Sequence, residues 1–106
     1  MGSHCEALFE NTSKTTISGD YVEQNLKGLG ESTEFSASPK ETLNIDIEFN
    51  DFNFFKFSIN TKDGDKANYF EIRSVSDFLM LQQVLIIDYK LKLISARPDY
   101  RNFWSK

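Results

Sequence analysis

The sequence is short of almost everything from which catalytic chemistry or a covalent framework is made. It holds one cysteine, Cys5, so no disulfide can close within the chain and no thiolate metal cluster can be assembled. Its one histidine, His4, lies in Met1-Gly2-Ser3-His4, which reads as an expression scar, leaving no imidazole to act as a base or to activate a nucleophile. Glycine-rich phosphate loops, Gly-x-Ser-x-Gly elbows and zinc-ligand spacings are all missing. Asp63-Gly64-Asp65, even with Asp46, lacks the remainder of a calcium loop and its terminal Glu. No apolar run approaches the roughly 20 residues of a membrane span, and the longest, Val84 to Ile87, suits a helix. These absences argue against an enzyme and against a cofactor.

What is present is aromatic and acidic. Ten phenylalanines can fill the core of a chain of 106 residues, one domain in length. The net charge of -4 divides unevenly. Up to Asp51 the acids run from Glu6 through Glu10, Asp20, Glu23 and Glu31 to Glu48, against only Lys14, Lys27 and Lys40. Beyond Asp51 the bases, among them Lys56, Arg73, Lys92, Arg97 and Arg101, outnumber the acids. A pI near 4.9 and the lack of a basic stripe exclude non-specific nucleic-acid binding. A lone thiol favours a reducing, cytoplasmic compartment. Cys5 at the start of the native sequence is also where a bacterial lipoprotein would carry its lipid, provided a signal segment precedes it.

Residues 5 to 41 are rich in Ser, Thr, Gly and Glu and poor in periodic apolar positions, which predicts an irregular or mobile segment. Within it, Tyr21 to Leu26 suits a short helical turn and Lys27 to Ser32 a flexible one. Phe35 to Pro39 is the start of an edge strand ended by Pro39. Asn11-Thr12-Ser13 matches the glycosylation sequon by chance.

From residue 42 to 106 the pattern predicts an α+β binding domain. Leu43, Ile45, Ile47 and Phe49 alternate with Asn44, Asp46, Glu48 and Asn50, giving a strand with one wet face. Asp51-Phe52-Asn53 is a turn, Phe55, Phe57 and Ile59 mark a second strand, and Asp63-Gly64 closes a hairpin. The third strand, around Phe70 and Ile72, runs into an amphipathic helix carrying Phe78, Leu81, Val84 and Leu85, capped by Ser76 or Asp77, with Val75 stapled on Met80. The sum is a three-stranded antiparallel meander followed by a packed helix. Lys90 to Leu93 either extends the helix or begins a strand, and Tyr100, Phe103 and Trp104 form an aromatic lid at i, i+3, i+4 spacing.

Arg73-Ser74-Val75-Ser76-Asp77-Phe78, continued by Leu81, Leu85 and Tyr89, resembles the phox-homology (PX) domain over residues 42 to 98. In that family an Arg-Arg-Tyr-Ser-Asp-Phe type motif closes the third strand. The resemblance implies a PX-like fold that binds phosphoinositides and serves as a membrane-trafficking adaptor. It also implies an altered pocket. The family's phosphate-holding Arg falls on Ser74, its stacking Tyr on Val75, and its proline-rich loop shrinks to Ala96-Arg97-Pro98. Arg73, Lys92 and Arg97 are then left as a weak lipid or anion site.

The function expected is that of a non-catalytic recruitment module, held mainly by a protein partner and secondarily by an anionic phosphoinositide membrane. Two alternatives are an α+β inhibitor or immunity-type protein with an acidic surface, and a lipoprotein anchored through Cys5.

Overall fold

The computed structural model describes residues 3–60 and 67–98. The elements are β1 (Ser3–Asn11), β2 (Ile17–Asn25), β3 (Gly28–Ala37), β4 (Thr42–Phe49), β5 (Asn53–Asn60), β6 (Ala67–Ile72), α1 (Val75–Ile87) and β7 (Leu91–Pro98). Two antiparallel sheets form, one ordered β4-β1-β7 and the other β3-β2-β5-β6. The chain passes from one sheet to the other after β1, β3, β4 and β6. One buried cluster joins Phe9, Ile45 and Ile47 of the first sheet to Ile17, Phe57 and Ile59 of the second.

This corrects the expected α+β, PX-like meander. β4 and β5 have the predicted alternation and only three residues, 50–52, between them, yet they lie in different sheets. Asn50 and Asn53 make the single bridge at their junction, beyond which the arms part. β4 pairs with β1 instead, Ile45 opposite Ala7 and Ile47 opposite Cys5. Of the three predicted strands, β5 and β6 alone are neighbours, with Phe57 opposite Phe70.

The expected irregular segment, 5 to 41, is the larger correction. It supplies β1, β2 and β3, and β1 is the central strand of its sheet. Cys5, Ala7, Phe9 and Asn11 of β1 all point inward and are buried. Tyr21 to Asn25 is strand, and Tyr21 stacks on Phe57 with ring centroids 4.7 Å apart. His4, read as part of a scar, lies within β1. Asn11 of the sequon is fully buried with its amide engaged on both sides, so the folded chain offers no acceptor there.

Helix α1 buries Val75, Phe78, Leu81, Gln82 and Leu85. It packs against β7, β6 and β1, strands of both sheets, and not on the expected β4–β5–β6 meander. Its cap is Ser74, two positions before the expected Ser76. The Asp77 N–H donates to Ser74 Oγ at 3.2 Å, and the Arg73 N–H donates to Asp77 Oδ2 at 2.9 Å. This reciprocal bonding starts the helix directly after β6. Val75 faces the core while Met80 is 66% exposed, so the predicted staple does not form. Lys90 adopts φ 61° and turns the chain into β7, settling residues 91–98 as strand. The hairpin at Asp63-Gly64 and the aromatic lid of Tyr100, Phe103 and Trp104 lie outside the described residues.

Candidate functional site

At one end of the molecule the β2–β3 and β4–β5 turns stand side by side, and each displays an apolar residue. Leu26 is 83% exposed and Phe52 65%. Both turns are braced by asparagine. The Lys27 N–H donates to Asn25 Oδ1 at 2.8 Å, and Gly28 follows at φ 119°, a conformation that glycine adopts without strain. In the second turn the Phe52 N–H donates to Asn50 Oδ1 at 2.7 Å, and the Asn50 N–H to Asn53 Oδ1 at 2.6 Å. Asn53 Nδ2 reaches across to Glu23 Oε2 on the adjacent strand β2 at 2.7 Å, tying the two turns together. The apolar tips are therefore presented by hydrogen-bonded turns, which lowers the entropy a partner must remove to order them.

Between the tips lies a cavity of about 300 Å³, lined by Leu26, Phe52, Phe54 and Arg73 among others. The Arg73 guanidinium carbon sits 3.6 Å from the centroid of the Phe54 ring, and its Nε donates to Glu71 Oε1 at 3.1 Å. Stacking and ion pair fix the plane of the guanidinium at the cavity wall.

The other two predicted site residues are elsewhere. Lys92 and Arg97 lie on β7, registered opposite Glu10 and Glu6 of β1, and neither lines this cavity. Their charges meet acids across the strand, as on a solvated sheet face. Arg73 therefore lines this cavity and Lys92 and Arg97 do not. Ser74, where the resemblance puts a phosphate-binding arginine, is occupied with capping the helix. Leu26, Phe52 and Phe54 went unmarked in the sequence reading. For Leu26 and Phe52 the signal is an apolar side chain inside an otherwise polar turn, Asn25-Leu26-Lys27-Gly28 and Asn50-Asp51-Phe52-Asn53; Phe54 lies in β5 and carries no such mark.

The outer face of the β4-β1-β7 sheet is acidic. Glu6 stands opposite Asp46, and His4 opposite Glu48. His4 Nε2 lies 2.5 Å from Asp46 Oδ1. That hydrogen bond, aided by the nearby carboxylates of Asp46, Glu48 and Glu6, raises the imidazole pKa above its ordinary value. On the second sheet Asp20 stands opposite Glu34. Among the described residues no group of three or more His, Cys, Asp or Glu is placed to hold a metal ion. Among them, too, no helix is long and apolar enough to cross a membrane.

No family model matches the chain, nor does any curated protein or solved structure.

Proposed function

We propose that this protein is a non-catalytic binding module that engages a protein partner through the end formed by the β2–β3 and β4–β5 turns. The observation that carries the reading is the display of Leu26 and Phe52, by hydrogen-bonded turns, on either side of the Arg73–Phe54 stack. Aromatic and aliphatic anchors beside an oriented arginine are what the centre of a protein interface requires. The buried Cys5 thiol suits a reducing, cytoplasmic setting, and a lipid anchor on it would require the start of β1 to leave the core.

The test is affinity capture from source lysate, with identification by mass spectrometry. Wild type is compared with Leu26→Ser/Phe52→Ser and with Lys92→Ala. A protein retained by wild type and by Lys92→Ala but lost with the turn variant supports the reading. Equal capture by all three overturns it. Sedimentation with phosphoinositide vesicles, comparing wild type and Arg73→Glu, shows whether lipid is the ligand instead.

A second reading is an acidic surface that meets a basic protein, as an inhibitor or immunity-type protein does. It draws on the cross-strand pairs Glu6–Asp46 and Asp20–Glu34, since like charges set directly opposite cost stability. Partner capture that falls steeply with salt and survives the turn variant distinguishes this reading from the first.

A further inference from the structure

β3 is the longest of the described strands and lies at the rim of its sheet, bonded to β2 on one side and to no described strand on the other. Natural rim strands are commonly kept short or blunted by lysine, proline or a bulge. From Ser32 to Ala37 β3 has neither lysine nor proline, and its register with β2 is unbroken. Phe35 and Ala37 turn into the core, while Ser32, Glu34 and Ser36 are exposed on the outer face.

That face carries a cavity of about 420 Å³ lined by Ser18, Asp20, Glu34, Ser36, Ser58 and Asn60 among others. Its charged groups are both acids, with Glu34 directly opposite Asp20. Neither has an ion-pair partner among the described residues. Lys56, the base on this face, stands a row away, opposite Glu71 of β6. The groove beside the open edge is therefore polar and negative.

We infer that the outer edge of β3 accepts an extended basic segment of a partner protein as a fifth strand, with lysine or arginine at alternate positions set against Glu34 and Asp20. The inference rests on the reading of the acidic faces as the surface that meets a basic protein, and it names the edge and the form of what binds. In strand addition the main-chain bonds supply affinity, and side chains at every second position supply specificity. A strand beside β3 lies about 4.8 Å from it and about 10 Å from β2. The long stem of a lysine or arginine opposite Glu34 spans that distance over the cavity to Asp20, which a short side chain cannot do. The cation then sits between two carboxylates that otherwise repel each other. A second copy lacks this pattern. β3 against β3 would add carboxylates to carboxylates, and Lys92 and Arg97 of β7 do not fall at alternate positions.

NMR titration of the full isotope-labelled chain at low salt tests the inference. The probe is a capped octamer of alternating lysine and threonine, and the control is the same peptide methylated at every backbone nitrogen. The alternating peptide should bind and should protect β3 amides from hydrogen exchange. Methylation, which removes the donors of the ladder and keeps the charge, should weaken binding on the order of 10-fold, and so should Glu34→Lys. Glu10→Lys, an equal change of charge on the other sheet, should leave it nearly unaltered. Circular dichroism checks that both variants fold, and the methylated peptide needs no variant. Equal binding by the two peptides, or binding without protection of β3, overturns the inference and leaves the acidic-surface reading standing. If neither peptide binds, the basic partner falls with it. Protection of β3 that grows with protein concentration alone gives the edge to a second copy and overturns the inference too.

Discussion

Asn11 Nδ2 donates to the carbonyl of Ala37 at 2.8 Å, joining the last residue of β1 to the last residue of β3 in the opposite sheet. The same amide donates to Thr15 O at 2.9 Å, while Asn11 Oδ1 accepts from the N–H and the hydroxyl of Ser13. Asn11 is completely buried, and its backbone is bonded on both sides to the 38–41 turn. One side chain thereby fixes the β1–β2 connection and clasps the two sheets.

Asn11→Ala should accordingly be among the most damaging single changes in the protein. It removes the amide's bonds to the Ala37 and Thr15 carbonyls and to the Ser13 N–H, with a cost of roughly 2–4 kcal/mol, although Thr15 O keeps the Ser13 hydroxyl as a donor. Urea denaturation should show a lower midpoint at unchanged slope. A loss below about 0.5 kcal/mol would mean that water replaces the amide fully.

Gln82 predicts the opposite sign. Its side chain is buried on α1, and its Oε1 has no hydrogen-bond partner among the described residues. Gln82→Met keeps the volume and removes the desolvated amide, so stability should rise by about 1 kcal/mol. A thermal melt shifted upward confirms it, and a downward shift shows that the carbonyl is satisfied in solution.

Gly19 tests how closely β2 packs in its sheet. A Cβ there would lie 2.1 Å from the Ser58 carbonyl oxygen and 2.8 Å from Phe35 Cζ. Backbone cannot yield as a flexible side chain can. Gly19→Ala should cost on the order of 3 kcal/mol or prevent folding, read out by yield of soluble protein and by circular dichroism.

His4 and Glu41 give pH signatures of opposite direction. The His4 pKa is raised by Asp46, so its contribution is complete below the unfolded value of 6.5 and fades as pH climbs through the folded pKa. Glu41 accepts from the Ser38 N–H at 2.7 Å, which lowers its pKa below 4.5. Its contribution is present above that value and is lost as pH falls through the folded pKa. NMR titration of the His4 ring should give a midpoint above 6.5, and Asp46→Asn should bring it down.

The parts of the fold legible in the sequence were those where large apolar residues mark the period. Leu43 to Phe49, Phe55 to Ile59 and the helix from Val75 were visible for that reason. β1 was not, because its inward positions include Ala7 and Asn11, one too small and the other too polar to register. In β2 the inward row interposes Gly19 between Ile17 and Tyr21, again erasing the alternation. Periodicity also tells which side of a strand is buried without telling which sheet buries it, and so β4 was joined to β5. At the candidate site Arg73 was legible as a base near a helix start. Its separation from Lys92 and Arg97 depends on β7 joining β1, a pairing no local pattern announces.

That pairing joins the two most distant of the described strands: β1 pairs with β7 across eighty or more positions of sequence, and the β4-β1-β7 sheet stays incomplete until residues 91–98 dock. Until β7 docks, one edge of β1 is an unpaired strand edge, open to another strand. The loop-closure entropy of so distant a pairing makes the docking of β7 on β1 a late step in folding.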